Sequence, residues 1–247
     1  MAWIPYVICG DSHGDMADKS AIKAFLKFCD EFNPKIRIHL GDAIDFRAIR
    51  RGVCKEEKYE SMQADYDSGT QFLRDMGANV WLWGNHEDRI EQIARSTDGV
   101  MRDYAARINI EMLDFAKAQK CQVLPYDARK GVYELGKVRS GGFRVIHGYS
   151  CGIHALKAEV NTYTRVIHGH IHTRGTVLSG TYDPSEGHTC ACLCRLDMTY
   201  AKTHKTALRQ EHGWIYGLVN NRTGSVIVQH ARKVDGKFFY SSEFSKV

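Results

Sequence analysis

The sequence predicts an α/β (α+β) fold in which two mixed β-sheets pack face to face and helices cover their outer sides. Three observations predict it. Short apolar runs alternate with longer amphipathic stretches in the first half, and β-type runs separated by glycine fill the part beyond Cys121. No repeat, low-complexity segment or linker interrupts the 247 residues, a length near the upper limit for one core, so a single domain over 1–247 is expected.

Residues 6–9 (Tyr-Val-Ile-Cys) read as a short buried strand, ended at once by the turn Gly10-Asp11-Ser12-His13-Gly14. Ile22, Phe25, Leu26, Cys29 and Phe32 recur at helical spacing and predict a helix over 19–32. A second strand over 36–40 ends at Gly41-Asp42. A long polar helix over 56–76 carries Met62, Tyr66, Leu73 and Met76 near one face. The third strand, 80–83, ends at Gly84-Asn85-His86-Glu87, and 104–118 is one more helix. Beyond Cys121 the strand-like runs are 131–135, 143–147, 165–168, 175–178, 189–196, 214–219 and 226–234, with one helix near 153–161.

Composition excludes whole classes. With 43% hydrophobic and 26% charged residues the chain is neither disordered nor collagenous. No apolar run approaches the roughly 18 residues of a membrane helix, and the start, Met1 to Tyr6, has no basic segment of a signal peptide. A cytoplasmic protein without a membrane partner is expected. The 34 Lys and Arg against 29 Asp and Glu leave 34 − 29 = +5, which permits an anionic substrate without demanding one. The eight cysteines lack disulfide-scaffold spacing and read as reduced. In Cys190-Ala191-Cys192-Leu193-Cys194, an extended strand would hold alternate side chains about 6.5 to 7 Å apart. That is too far for thiolates on one zinc with Zn–S bonds of about 2.3 Å, so the three read as free thiols.

Five segments share one property: each places Asp, Asn or His directly after a strand-like run, with glycine allowing a tight turn. They are Asp11-Ser12-His13, Gly41-Asp42-Ala43-Ile44-Asp45, Gly84-Asn85-His86-Glu87, His147-Gly148 and Gly169-His170-Ile171-His172. Carboxyl ends of strands in open α/β sheets are where ligands collect, so the segments can converge on one crevice. Asp11, His13, Asp42, Asn85, His147, His170 and His172 supply carboxylate, imidazole and amide donors, a set that suits Mn, Fe, Zn or Co. Seven groups are too many for one ion, whereas two ions about 3.5 to 4 Å apart can share a bridging carboxylate. Two divalent ions would supply about +4, two carboxylates and a hydroxide would remove about 3, and the remaining charge of about +1 attracts phosphate oxygens.

This ordered set resembles the calcineurin-like metallophosphoesterase superfamily, whose signature runs D-x-H, G-D-x-x-D, G-N-H-D/E, a lone His and G-H-x-H. All five stand in order between Asp11 and His172. The resemblance implies that Asp11, His13, Asp42 and His172 hold one metal, and that Asp42 bridges to a second held also by Asn85, His147 and His170. It implies that His86 faces the leaving oxygen, that Asp45 orients His86, and that Asn85 also meets the substrate. The cofactors implied are two divalent transition-metal ions, manganese first, with iron, zinc, cobalt or nickel as alternatives. The implied activity is phosphoester hydrolysis by a metal-bridging hydroxide.

Within the superfamily, protein phosphatases carry arginines where this chain has Phe46 and Trp83, and purple acid phosphatases carry a tyrosine at the place of Asp45. A diester monoanion needs less positive clamping, so a phosphodiesterase acting on a nucleotide or nucleic acid, including a nuclease, is the expected activity. Two alternatives stand beside it: a phosphomonoesterase on the same site, and a non-catalytic nucleic-acid-binding member. Arg47, Arg50 and Arg51 either hold flanking phosphates or pair with Glu56 and Glu57 on a solvated loop. Lys202, His204, Lys205 and Arg209 read as solvated surface. Trp81, Trp83, Trp214 and Tyr216 read as core, and His39, His154, His168, His188, His212 and His230 as structural. Residues 196–200 and 214–217 are similar to the tail of phosphoesterases encoded by bacteriophages and mobile elements.

Overall fold

In a computed structural model, strand β1 (Trp3–Cys9) is buried on both faces in its second half, and this alternation sets the layers of the molecule. Tyr6 and Ile8 join the apolar cluster between two sheets, while Val7 and Cys9 join the cluster beneath the helices. The described residues are 2–178, 185–197 and 208–241. Helix α1 (Lys19–Phe32) follows, its first turn closed by Asp18, whose side chain accepts from Ala21 N at 2.8 Å. Strand β2 (Ile36–His39), helix α2 (Met62–Asp75), strand β3 (Val80–Leu82), helices α3 (Asn85–Ala94) and α4 (Gly99–Ala118) and strand β4 (Gln122–Leu124) complete this half. The second half contains β5 (Tyr133–Leu135), β6 (Phe143–Ile146), α5 (Ala155–Tyr163), β7 (Arg165–His168), β8 (Gly175–Leu178), β9 (Glu186–Thr189), β10 (Gly213–Asn220), β11 (Val226–Val234) and β12 (Lys237–Phe239).

One sheet runs β12-β11-β10-β1-β2-β3-β4, the other β5-β6-β7-β9-β8. β1 through β4 pair in parallel, as do β6, β7 and β9; antiparallel strands close both edges of the smaller sheet and the β12 edge of the larger, whose other edge is the parallel strand β4. Ile38, Leu40, Val80, Leu82, Val145 and Ile167 fill the space between the sheets. Phe25, Phe28, Trp81, Trp83, Trp214 and Tyr216 pack beneath the helices of the larger sheet, and Leu156 and Val160 of α5 cover the smaller one. The predicted sandwich with helical outer layers is therefore present. Among the described residues no helix is long and apolar enough to cross a membrane.

Several boundaries differ from the sequence reading. The helix expected over 56–76 starts at Met62, because Ser61 accepts from Ala64 N at 3.2 Å, and Glu57–Tyr59 forms a separate 3-10 turn. The segment read as a turn at Asn85 is the first turn of α3. The helix expected over 104–118 starts five residues earlier, capped by Asp98. The strand expected over 189–196 ends at Thr189; Cys192 and Cys194 make only isolated bridges, to His212 and Ala17. The extended spacing assumed for the three cysteines therefore does not apply. β4 and β12, three residues each, were too short to show a period. Lys202, His204, Lys205 and the segment 198–200 lie outside the described residues.

Candidate metal centre

The turns after β1 and β2 are stitched together by the backbone. Asp11 N donates to Gly41 O at 3.0 Å, His13 N to Asp42 O at 2.9 Å and Gly14 N to Ala43 O at 2.8 Å. These bonds hold Asp11, His13 and Asp42 in the left-handed region, with φ of 52°, 54° and 51°; His170 and His172 share it at 69° and 56°. Five of the seven predicted ligands thus sit in a conformation that costs a non-glycine residue about 1 kcal/mol or more, a strain that concentrates at functional sites. Two glycines make the close approach possible. A Cβ on Gly84 would lie 2.1 Å from Asp42 Oδ1, and one on Gly41 would lie 2.8 Å from His147 Nδ1.

All seven predicted ligands meet at the carboxyl ends of β1, β2, β3, β6 and β7. The donor atoms of Asp11, His13 and Asp42 lie within 4.8 Å of one another, and so do those of Asp42, His147 and His170. The two groups share Asp42. His172 Nε2 stands 3.2 Å from His13 Nε2 and 3.3 Å from Asp11 Oδ1. His147 Nδ1–H donates to Leu40 O at 3.0 Å, which turns Nε2 toward Asn85 Oδ1 at 3.1 Å and Asp42 Oδ2 at 3.4 Å. Buried imidazole nitrogens facing each other and two carboxylates form a donor set of the kind that a divalent transition metal takes.

Electrostatics follow from this crowding. Burial opposes ionisation of Asp11, but the adjacent His172 outweighs it and holds the carboxyl down at about 2. Asp42 is likewise held well below the usual carboxylate range by His147 and His86. Burial disfavours charge on His147 and His172, yet Asp42 and Asp11 respectively raise both to about 9. His170 moves the other way, to about 4, through burial and its neighbour His147.

His86 lies in the first turn of α3. Its Nδ1 is 2.7 Å from Asp45 Oδ1, and its Nε2 is 3.7 Å from Asp42 Oδ2, so the free edge of the ring faces the ligand cluster. Burial opposes its charge, but Asp42 and Asp45 raise its pKa. Asp45 also lies 3.4 Å from His13 Nδ1, near enough for attraction although no hydrogen bond forms.

Arg47, Arg50 and Arg51 have different surroundings. Arg47 is buried and pairs with Asp15 and Glu60, with Asp45 3.8 Å away; Arg50 pairs with Glu57; Arg51 is exposed. Phe46 and Trp83 are buried in the core. Trp81, Trp214 and Tyr216 are core residues too, and the rings of His39 and His168 are fully buried.

The structure adds residues that motif reading passed over. Glu87 accepts from the backbone of the turns after β2 and β3, and Asp65 accepts from Asp45 N at 3.0 Å and Phe46 N at 2.6 Å. Arg89 donates to the carbonyls of Asp45 and Phe46, and Glu159 accepts from Tyr149 N and Ser150 N just after His147. Asp65 and Glu159 left a signal, since each falls within the apolar stripe of its helix. Two cysteines also reach the predicted ligand histidines, although the donor set read from the sequence contains no sulfur. Cys151 Sγ is 3.2 Å from His170 Nε2 and Cys194 Sγ is 3.7 Å from His172 Nδ1. The loop after His147 and the irregular path after Thr189 bring them there, and neither is visible in strand periodicity.

No protein-family model matches the chain, and no curated protein matches it in sequence. Among solved structures, a novel archaeal phosphodiesterase is 13% identical over 92% of this chain and 99% of its own, with a TM-score of 0.41. A Vps29 single mutant from Entamoeba histolytica is 13% identical over 96% of each chain, with a TM-score of 0.48. YfcE, a phosphoesterase from E. coli, is 10% identical over 92% of this chain and 98% of its own, with a TM-score of 0.43. In its five motifs and its two packed sheets, the chain resembles the calcineurin-like metallophosphoesterases.

Proposed function

We propose that the chain is a metal-dependent phosphoester hydrolase with a two-ion centre, and that it acts on phosphodiesters of nucleotides or nucleic acids. One observation carries the reading: two donor groups that share Asp42 stand beside an imidazole whose free edge faces them. Asp11, His13, Asp42 and His172 would hold one ion, and Asp42, Asn85, His147 and His170 the other. Bound there, divalent ions supply Lewis acidity toward phosphoryl oxygens and a lowered pKa of water.

The protein's own groups do the rest. Asp45 fixes His86 through Nδ1, so His86 Nε2 is the atom that offers a proton or a hydrogen bond to the departing oxygen. Asn85 and His86 occupy the first turn of α3, where backbone N–H groups and the helix dipole favour an anion. The diester preference is supported by Phe46 and Trp83, which are apolar and buried at the places where a dianion clamp would need arginine. Manganese is taken first among the metals that suit these oxygen and nitrogen donors, with iron, zinc and cobalt beside it.

The reading is tested by loading the full chain with manganese and comparing bis(4-nitrophenyl) phosphate with 4-nitrophenyl phosphate. Faster turnover of the diester is expected; a strong monoester preference would reverse the substrate assignment. In the same assay His86→Ala is expected to lower turnover by about 100-fold or more while metal content stays at the wild-type level. Wild-type turnover in that variant would remove His86 from the chemistry.

A further inference from the structure

A cavity of about 740 Å³ opens beside His170, between the loop after His147 and the segments that flank β8 and precede β10. Its charged lining is Lys157, Arg174, Arg209 and Glu211, three cations against one carboxylate, or 3 − 1 = +2 with histidines neutral. Glu211 is taken by Arg174, at 3.4 Å. Lys157 and Arg209 are exposed and form no ion pair among the described residues. Arg47 and Arg50, in the stretch that follows Asp45, are already paired with Asp15, Glu60 and Glu57. Anion-binding capacity beside His170 therefore lies in this cavity, while Arg51 stands exposed on the loop after Asp45, outside it.

The remaining walls narrow what enters. Ile153 and Val177 add aliphatic surface, and among the described residues no Phe, Tyr or Trp lines the cavity, whose rings are the imidazoles of His154 and His170. Cations with aliphatic walls suit a phosphate on a sugar or alkyl segment.

We propose that this cavity is a subsite for a second phosphate of the substrate, held by Lys157 and Arg209, an inference that rests on the phosphoester-hydrolase reading. A monophosphate would then fill the metal centre only. A ligand with two phosphates would fill both places, and the second phosphate can come from an oligonucleotide backbone or from a diphosphate.

Calorimetric titration of the manganese-loaded full chain tests this with three ligands: thymidine 3′-monophosphate, thymidine 3′,5′-bisphosphate and thymidine 5′-diphosphate. One of the two doubly phosphorylated ligands is expected to bind at least about tenfold tighter than the monophosphate, the scale of one charge-assisted hydrogen bond. Preference for the bisphosphate assigns nucleic-acid spacing, and preference for the diphosphate assigns a small pyrophosphate-type substrate. In the double variant Lys157→Ala/Arg209→Ala the preference should fall to about twofold or less, and in Lys157→Arg/Arg209→Lys it should persist. Equal wild-type affinities for all three ligands, or a preference that survives the double alanine variant, would overturn the inference. The aryl diester assay keeps the two readings separable. Diester turnover without a second-phosphate preference sinks the subsite alone, whereas a preference without turnover of any ester sinks the hydrolase reading and leaves the anion subsite standing.

Discussion

Glu87 shows how one side chain assembles the centre. It is fully buried, and its two oxygens accept from Asp42 N, Ala43 N, Ile44 N and Gly84 N, at 2.9, 2.7, 3.1 and 2.8 Å. Four donors converge on one carboxylate, and they set the position of the backbone that carries Asp42. Burial and the Asp42 charge push its carboxyl up to about 7, and the donors pull against that shift. Glu87→Gln would turn an amide NH₂ toward donors. Its expected cost at pH 8 is about 2–4 kcal/mol of stability together with a loss of bound manganese, checked by denaturant unfolding and metal analysis. Unchanged stability would mean that the four contacts contribute nothing net. At the same scale Gly84 was legible only as a turn glycine; that its missing Cβ makes room for Asp42 Oδ1 emerges from contact across 42 residues of chain.

Helices deliver the supporting groups, and their ends decide where those groups fall. Ser61 starts α2, and its hydroxyl accepts from Ala64 N, so Asp65 comes at the right turn to receive the N–H groups of Asp45 and Phe46. Ser61→Ala is expected to cost about 1 kcal/mol of unfolding free energy, with manganese content unchanged because Ser61 touches no ligand. Thermal melting with parallel metal analysis checks it. Lost metal would show that the cap and the centre are coupled. The helical stretches of α1, α2, α4 and α5 were readable, and α1 with its start, but the starts of α2 and α4 were not, since a polar run such as 56–61 carries no period and the cap competes with several equivalent residues. α3 stayed hidden for a related reason: its first turn is built from the motif residues, and only Ile90 in it is both apolar and fully buried, with Ile93 half-buried.

At the scale of the molecule, the two sheets meet polar contacts as well as apolar ones. His230 of β11 in the larger sheet lies 3.1 Å from His188 of β9 in the smaller, and His188 is held by Glu186 at 2.8 Å. Burial, then His188, then Arg174 press the His230 pKa down from 6.5 to about 3. The folded state therefore binds fewer protons than the unfolded chain between those values. Stability present above pH 6.5 is lost as pH falls toward 3, by up to about 1.4 kcal/mol per pH unit. His230→Asn should flatten the decline of melting temperature from pH 6.5 to pH 5 in chelator-treated protein; an unchanged slope would exclude His230 as a source. Manganese should in turn raise the melting temperature at pH 7, because ions bound to the native ligand cluster stabilise the folded state by mass action. A melting temperature insensitive to manganese would count against the whole centre.

The sequence by itself determined the order of the layers and the strand-end motifs that carry seven candidate oxygen and nitrogen donors, while the pairing of His86 with Asp45 was implied by the family resemblance and appears as a 2.7 Å contact. Periodicity fixes which strand face is buried, and strand-end motifs keep their residue types next to each other in the chain. Only the tertiary structure decided what chain-distant groups do to one another. Arg47 and Arg50 folded onto Asp15, Glu60 and Glu57, Cys151 and Cys194 reached His170 and His172, and Lys157 and Arg209 came to line one cavity with His170. The physical reason is range. Hydrophobic period and turn chemistry act over a few residues, whereas ion pairing, desolvation and cavity shape depend on which loops the closed sandwich brings within a few ångströms.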